Sequence, residues 1–337
     1  MTKGKYSETE IDFVLPWVDG NDPKWKEKFN SFASELDGDN QKCRYRDWDN
    51  LKYIFRSFES FTPWVRKIHF VTCGHLPPWL KTDHEKLNIV LHEDFLLKEN
   101  LPVFSSHPIE INQHRIPGLA DRFVYFNDDT FILKYTNPDR FFRDDLPCDV
   151  FSFNAISDSK IAHIKLSNIQ VINKTFNKYD ILRRSFFKIF SYKYSAVNNI
   201  KTILLLPWPK ITGFYDPHMP QPFLKKTFDK VWSVEESILK KTSSRKVRHP
   251  EDVSQYLFRY WHLCEGNFVP VKMSKIFFDW IRNRDDAIHF RKSILSGKYA
   301  MACINDGVDN DCDFEDIKSI VNSGFERIFP QKSFFEI

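Results

Sequence analysis

Between residues 11 and 155 the chain alternates short β-rich runs with helix-like stretches, which leaves few folds open to it. One helical pattern begins at Pro23, and a second carries apolar residues at helical spacing from Leu51 to Phe58. Such alternation is typical of a sheet with helices packed on its faces. The sequence therefore predicts an α/β fold, with strands at residues 11–17, 67–72, 87–92, 123–126 and 149–153.

The stretch of residues 156–212 has a different character, because lysines and arginines alternate with aromatic and aliphatic residues. We interpret it as an inserted helical subdomain whose basic residues form a solvated face or, alternatively, contact an anionic acceptor or a membrane surface. Residues 213–337 are predicted to be mainly helical, with one helix following Pro250 and a last helix ending before Pro330. The expected organisation is a Rossmann-like mixed sheet flanked by helices in residues 11–155, a helical insert, and a helical C-terminal part.

The charge and cysteine content of the chain exclude several classes of protein. With 49 Lys and Arg against 45 Asp and Glu, the net charge of +4 gives no concentrated basic field for a nucleic acid. The longest apolar runs are far shorter than the roughly 20 residues that span a bilayer, and the polar start lacks the apolar core of a signal peptide. The six cysteines form no CxxC pair, which fits reduced thiols. We expect a soluble, cytoplasmic protein without a nucleic-acid partner.

The clearest chemical signal lies at the end of the fourth predicted strand. In the run RFVYFNDD, an apolar strand ends abruptly in Asn127, Asp128 and Asp129. Ligands of open α/β sheets bind beyond the carboxyl ends of the strands, and Mg²⁺ prefers carboxylate oxygens. These residues therefore indicate a site for a metal and a nucleotide phosphate, or alternatively an Asx turn or a helix cap.

The first predicted strand ends in a similar way. The run IDFVLPWVDGNDP places Trp17, Asp19, Gly20 and Asp22 just before a predicted helix. Gly20 permits a tight turn, and Trp17 offers a flat face for a base or a sugar. A nucleotide contact is the functional interpretation. An ordinary turn with an Asp helix cap and a core tryptophan is the alternative.

The segment LPVFSSHPIEINQHRIPGL concentrates further polar side chains, among them Ser106, Glu110, His114 and Arg115. On a helix starting near Pro108, Glu110 and His114 would lie four residues apart on one face, where they could orient each other or a ligand. The spacing is not that of an HExxH zinc motif. A satisfied helix surface is the alternative interpretation.

The C-terminal part supplies His218 in the run PHMP and Arg248 in the run KVRHPEDV. A histidine can act as a base near neutral pH, and an arginine can clamp phosphate oxygens. Either residue alone is also compatible with a structural role. The acidic loop that contains Asp306 lacks the glycine and glutamate positions of an EF-hand and does not predict calcium.

Taken together, these motifs resemble a known family. The runs IDFVLPWVDGNDP, RYRDWDNLKYIFRSFESFTPWVRKIHFVT with LPVFSSHPIE, HRIPGL and YFNDD, PHMP with KVRHPED, and CINDG with FPQKSFFE are similar, in order, to the four conserved regions of the Stealth family. Its members are sugar-1-phosphate transferases, including bacterial capsular polysaccharide phosphotransferases and the catalytic core of N-acetylglucosamine-1-phosphotransferase. The resemblance covers about residues 11–155 and 213–337. One departure is Pro16, where the family more often has a small polar residue.

The resemblance implies that a hexose-1-phosphate, expected to be N-acetylhexosamine-1-phosphate, moves from a UDP-sugar to a hydroxyl of a capsular glycan, with release of UMP. It also implies Mg²⁺ or Mn²⁺ as the cofactor. The expected location is the cytoplasm, with a peripheral contact to the inner face of the membrane or to the capsule assembly machinery.

The resemblance also assigns roles to the residues named above. His218 is expected to be the general base and Arg248 the clamp on the transferred phosphate. The other catalytic residues are expected to be Asp19 and Asp128. The metal ligands are expected to be Asp128, Asp129 and Asp306. The donor is expected to contact Trp17, Gly20, Asp22, Arg46, Ser106, Glu110, His114, Arg115 and Asn127.

Two other functions fit parts of the same pattern. A metal-dependent glycosyltransferase uses acidic residues at a strand end equally well, but its acceptor attacks the anomeric carbon and UDP leaves. A non-catalytic glycan-binding module could use the many aromatic residues as sugar platforms. The presence of all four regions, with both His218 and Arg248, argues against the second function.

Overall fold

A computed structural model describes residues 10–33, 46–159, 161–273, 275–308 and 313–337. Its central sheet consists of β1 (Ile11–Pro16), β2 (Ile68–Thr72), β3 (Leu87–Leu91), β4 (Arg122–Tyr125) and β8 (Gln221–Leu224). The strand order is β3-β2-β1-β4-β8, and all neighbours are parallel except β8. A parallel 3-2-1-4 order is that of a Rossmann-like sheet. The predicted α/β class and the first four predicted strands are confirmed.

Two smaller sheets complete the strand set. One has the order β10-β11-β5, from strands β5 (Thr130–Ile132), β10 (Ile276–Ile281) and β11 (Met301–Asp306). The other has the order β6-β7-β9, from β6 (Phe142–Arg143), β7 (Leu146–Asp149) and β9 (Val269–Pro270). Because β8 pairs with β4 and β11 pairs with β5, residues 213–337 add strands to sheets that the first 155 residues begin.

Three local predictions are corrected or extended by the structure. The strand predicted at 149–153 ends instead at Asp149, whose carboxylate accepts the N–H of Val150 at 2.7 Å and so occupies an amide that a strand would need. The prediction of a helical C-terminal part is incomplete rather than wrong, because its described residues form mainly helices and also contribute four strands. The helix expected after Pro250 begins only at Tyr256, since Asp252 first accepts the N–H of His249 in a turn.

The helices cover both faces of the central sheet. They are α1 (Pro23–Ala33), α2 (Leu51–Phe61), α3 (Ser106–Asn112), α4 (Ala162–Thr175), α5 (Lys178–Ile189), α6 (Ala196–Leu204), α7 (Lys225–Val234), α8 (Glu236–Ser243), α9 (Tyr256–Glu265), α10 (Arg284–Leu295) and α11 (Phe314–Ile328). Helices α4 to α6 form the predicted helical insert. In the described part of the chain, no helix has both the length and the apolar character to cross a bilayer.

The strand β1 shows how the core is divided. Phe13 and Leu15 point into one apolar cluster, which also contains residues of α2, α10 and α11. Val14 points to the opposite face, into a cluster with residues of α3, α7 and α9. Because side chains alternate along a strand, both faces of the sheet are covered. The carboxyl edge of the strands is where polar residues can gather, and β1 and β4 end there side by side.

Candidate functional site

The candidate site lies where β1 and β4 end. The chain runs from β1 to β2 and β3 on one side and places β4 on the other side, which makes the β1–β4 junction the switch point of the sheet. Ligands of open α/β sheets bind at such crevices. The register pairs Val14 with Tyr125, so Asp19 and the pair Asp128 and Asp129 follow strands that end together.

Five carboxylates act on one another at this edge. The pKa of Asp128 is raised to about 7, because the surrounding protein desolvates its carboxyl and the charges of Asp129 and Asp47 repel it. Asp47, which precedes α2, has its pKa raised by burial and by the charges of Asp49 and Asp19. Asp128 nevertheless stays accessible to solvent. Clustered carboxylates of this kind favour a bound cation, which removes their mutual repulsion.

His218 lies beside this cluster. Its Nε2 is 3.4 Å from Oδ2 of Asp129, and its ring contacts Phe278 edge to face at 5.5 Å. Burial alone would lower the pKa of His218, but the hydrogen bond and the negative charge of Asp129 outweigh it, and the net pKa is raised. A histidine held by a carboxylate in this way has a fixed orientation and a stabilised protonated form.

Three possible metal ligands lie together at this edge. Ligand atoms of Asp129, His218 and Cys303 lie within 4.8 Å of one another, so this part of the site can hold a divalent cation. Carboxylate oxygens suit Mg²⁺ and Mn²⁺, whereas a thiolate suits softer ions such as zinc. The pKa of the fully buried Cys303 thiol is raised far above its usual value. The carboxylates therefore fit Mg²⁺ or Mn²⁺, and the thiol does not.

Asp306 has other partners. Its carboxylate accepts from Nη1 of Arg46 at 3.4 Å and from Nε1 of Trp48 at 3.3 Å. Arg46 also donates to the carbonyl of Val308 at 3.1 Å. These contacts bind the segment before α2 to the end of β11. Asp306 and Arg46 are thus engaged with each other between these two segments.

Arg248 contacts helix α3, where its Nη2 donates to Oγ of Ser106 at 3.3 Å. The buried Tyr125, the last residue of β4, lies within the electrostatic reach of Arg248, Glu110 and Asp128. Glu110 is itself buried and accepts the backbone N–H of Gln255 at 3.1 Å. Residues from α3, β4 and the segment before α9 therefore converge.

The residues after β1 differ in their contacts and in their exposure to solvent. Asp22 accepts the N–H of Trp25 at 2.7 Å and caps α1, which was the alternative interpretation of this residue. Trp17 stacks on Phe70 at 5.7 Å and stays partly exposed. Gly20 is buried in the turn that follows, and Asn127 is half-buried at the end of β4.

Three site residues were not foreseen from the sequence. His75 follows β2, and its Nε2 accepts the N–H of Asp19 at 2.7 Å. The strand-end rule that found Asp19 could also have found His75, whereas Asp47 has no such signal. Lys165 reaches in from α4 of the insert, 3.3 Å from Asp216, and its charge acts on His218. No sequence pattern indicates that approach.

The predicted pairing of Glu110 with His114 on one helix is wrong. Helix α3 ends at Asn112, and His114 lies in a following 3-10 turn. His114 packs against Phe228 of α7, and Arg115 stacks over the ring of Trp232 at 4.1 Å. The physical reason is the change from α to 3-10 geometry, which rotates the side chains after Asn112 toward α7.

Comparisons with known proteins find relatives that span nearly the whole chain. Family models for Stealth protein conserved region 1 and conserved region 2 match residues 9–36 and 44–149. The chain is 38% identical over 332 residues to the capsular polysaccharide phosphotransferase WcwK of Streptococcus pneumoniae, covering 97% of this chain and 98% of that protein. It is 38% identical to the receptor polysaccharide phosphotransferase WefC of Streptococcus gordonii, with 97% and 99% covered. It is 37% identical to the exopolysaccharide phosphotransferase cps2G of Lactiplantibacillus plantarum, with 97% and 96% covered.

Among solved structures, the galactosyltransferase LgtC in complex with donor and acceptor sugar analogues matches with a TM-score of 0.33 and 10% identity, covering 93% of this chain and 95% of that chain. A similarity of this size supports no inference about activity. The sequence relatives, in contrast, span nearly the whole chain at more than a third identity. The protein therefore belongs to the Stealth family of polysaccharide phosphotransferases and is an enzyme of the transferase class.

Proposed function

We propose that the enzyme transfers a hexose-1-phosphate, in particular an N-acetylhexosamine-1-phosphate, from a UDP-sugar to a hydroxyl of a capsular glycan and releases UMP. Membership of the family supports a polysaccharide product. The observation that carries the chemistry is the contact between His218 and Asp129 beside the carboxylate cluster at the switch point of the sheet. It unites a base, its orienting group and a cation-binding edge.

In the proposed step, Nε2–H of His218 donates to Asp129 and leaves Nδ1 free to accept the proton of the acceptor hydroxyl. The hydroxyl oxygen forms a bond to the β-phosphorus of the donor, and the bond from that phosphorus to the bridging oxygen breaks. UMP leaves, and the sugar remains attached through the transferred phosphate. Such a transfer depends on in-line positioning and on neutralising phosphate charge.

The other site residues are proposed to position the donor. A Mg²⁺ or Mn²⁺ ion held by Asp128 and Asp129 would neutralise charge on the diphosphate. Arg248, held by Ser106, is proposed to clamp the transferred phosphate, and Trp17 to stack on the base or sugar. Asp19, Gly20 and Asn127 are proposed to line the donor pocket from the two strand ends, and Glu110 from the opposite wall.

Five of the assigned residues are proposed to act indirectly. Asp22 shapes the pocket by capping α1. His114 and Arg115 support the site through their packing on α7. Arg46 and Asp306 are proposed to hold the rim of the cleft together rather than to bind the cation.

The test is to supply UDP-N-acetylglucosamine labelled at the β-phosphate with Mg²⁺ or Mn²⁺ and a capsular oligosaccharide, and then to identify the released nucleotide. Release of UMP with label in the glycan is the expected result. Release of labelled UDP would identify a glycosyltransferase instead and overturn the proposal. UDP-N-acetylgalactosamine, UDP-glucose and UDP-galactose are run in parallel, and no release from any of them would favour a glycan-binding module.

A further inference from the structure

The helical insert carries an unusual concentration of exposed apolar side chains. Nine of the nineteen exposed large apolar residues in the described chain fall between residues 179 and 208. Phe187 and Tyr192 are 89% and 90% exposed, and Trp208 is 53% exposed. Contiguous exposure on this scale marks an interaction surface more often than chance. We call the outer surface of α5, α6 and residues 205–210 the insert face.

Helix α6 is amphipathic, but its apolar side faces solvent and its polar side faces the protein. Val197, Ile200, Ile203 and Leu204 recur at helical spacing, and each is between 53% and 64% exposed. The polar Thr202 is instead buried, and its Oγ1 accepts the N–H of Phe153 at 3.1 Å. A helix that turns its polar side toward the protein and its apolar stripe toward solvent lacks the partner that would remove that stripe from water.

The insert face is held rigidly rather than being a loosely attached segment. The buried ammonium of Lys178 in α5 donates to the carbonyls of Leu205 and Trp208, both at 2.6 Å, and thereby closes the carboxyl end of α6. The amide of Asn199 donates to the carbonyl of Ser191 at 3.2 Å, which ties α6 to the turn that presents Tyr192. The apolar side chains therefore stand out from a fixed backbone.

The charge of the insert decides what can cover this face. Between residues 174 and 210 there are eight lysines and arginines and a single acid, Asp180, which pairs with Arg183. A second copy of the chain would bring the same positive charge against it. An anionic surface that also accepts aliphatic and aromatic side chains fits both properties. An anionic bilayer is such a surface, since apolar residues enter the headgroup boundary while Trp, Tyr and Lys stay at the interface.

We propose that the insert face docks the enzyme on an anionic lipid bilayer, with the apolar stripe of α6 entering the headgroup region and Lys201 and Lys210 contacting lipid phosphates. This inference is independent of the chemistry at His218. It would place the acceptor reaction at a membrane surface.

The test is flotation of the purified protein with phosphatidylcholine vesicles that contain about one third phosphatidylglycerol, and with vesicles of phosphatidylcholine alone. The wild type is expected to float with the anionic vesicles and to be released in part at high salt. Ile200→Glu combined with Leu204→Glu should weaken binding at least about tenfold. Lys201→Glu combined with Lys210→Glu should also weaken vesicle binding at least about tenfold. This double change should remove most of the dependence of binding on salt.

Matched controls carry the same changes elsewhere on the surface. Leu97→Glu with Phe334→Glu, and Lys24→Glu with Lys298→Glu, alter exposed residues outside the insert and should leave vesicle binding within about twofold. All variants should transfer sugar phosphate to a water-soluble acceptor at the wild-type rate, which separates this test from that of the proposed function. Brominated lipids should quench fluorescence of the wild type more than that of Trp208→Phe.

Three outcomes would overturn the proposal. The first is no binding of the wild type to anionic vesicles at low salt. The second is an equal loss of vesicle binding in the insert variants and in the controls. This result would show that the protein is attracted to the vesicles without using a defined face. The third is a dimer, measured by analytical ultracentrifugation, that Ile200→Glu with Leu204→Glu dissociates, because a second copy would then cover the stripe.

Discussion

The imidazole Nε2 of His218 lies 3.4 Å from the carboxylate of Asp129, although 89 residues separate the two along the chain. Asp129 follows β4, and His218 precedes β8, which pairs with β4 in the antiparallel sense. The antiparallel pairing therefore places the start of β8 beside the end of β4. The same edge holds Asp128, so the proposed base and the proposed cation ligand lie at one edge of the sheet.

Replacing His218 with alanine should reduce turnover by about 10²–10⁴-fold, because the acceptor hydroxyl would lose its base. Donor binding, measured by equilibrium dialysis with labelled UDP-sugar, should change by less than about threefold, since the donor contacts lie elsewhere. His163→Ala, at an exposed position of α4, is the matched control and should retain activity. Retained turnover in His218→Ala would remove this residue from the mechanism.

Replacing Asp128 with asparagine should weaken Mn²⁺ binding at least about tenfold, because a hard cation loses a charged oxygen ligand. Replacing Cys303 with serine should leave Mn²⁺ affinity within about threefold, since a protonated thiol is no ligand for this ion. Electron paramagnetic resonance of bound Mn²⁺ measures both effects. A nitrogen coupling in that spectrum that disappears in His218→Ala would show His218 to be a ligand rather than the base.

Arg248→Ala should lower kcat/KM for the donor by about 10²-fold or more, because a cation that clamps phosphate oxygens is lost. Arg248→Lys should recover only part of the loss, since an ammonium lacks the paired donors of a guanidinium. The control is Arg245→Ala, whose side chain pairs with Glu251 at the surface. Full activity in Arg248→Ala would exclude a role in phosphate binding.

The buried pair of Arg259 and Asp149 supports the wall behind His218. Two guanidinium nitrogens donate to the Asp149 carboxylate at 2.8 and 2.9 Å, and both side chains are fully buried. Arg259→Met should lower the free energy of unfolding by about 3–5 kcal/mol, because it leaves a buried charge uncompensated. Urea denaturation measures the change. Arg327→Ala, at an exposed position of α11, should stay within about 0.5 kcal/mol.

His114 makes stability depend on pH. Burial, together with the charges of Arg115 and Lys225, lowers its pKa from 6.5 to about 3. Above pH 6.5 the ring is neutral in both the folded and the unfolded chain, so it does not lower the free energy of unfolding. As the pH falls from 6.5 toward 3, the unfolded chain binds a proton that the folded chain excludes, so stability is lost.

The size of this effect is measurable by urea denaturation. Between pH 6.5 and 4.5 the loss due to His114 should be about 2 kcal/mol. His114→Gln should show a correspondingly flatter dependence over that range. Identical slopes for wild type and His114→Gln would contradict the assignment.

Much of the fold follows from local signals. The strands β1 to β4 and the start of α1 at Pro23 could be predicted because apolar periodicity and proline placement act within a few residues. Gly266 ends α9 with φ of 75°, a conformation that glycine adopts without strain. The strands β8 and β11 were missed, and each pairs with a strand that lies in the first 155 residues.

The candidate site shows the same division. Strand-end chemistry predicts Asp19, Asn127 and Asp128, since a strand delivers whatever residue follows it to one edge of the sheet. It does not predict that Asp22 caps a helix, or that Lys165 reaches the site from the insert. Those outcomes depend on which helix packs against which strand.

The sequence by itself determined the α/β class, the family and the polar residues at the strand ends, because these are properties of short segments and of their order. Only the tertiary structure decided that Asp129 orients His218, that Asp306 is engaged by Arg46, and that α6 turns its apolar stripe outward. The physical reason is that contacts between distant segments depend on chain closure and packing. The residue pattern within one segment does not predict these contacts.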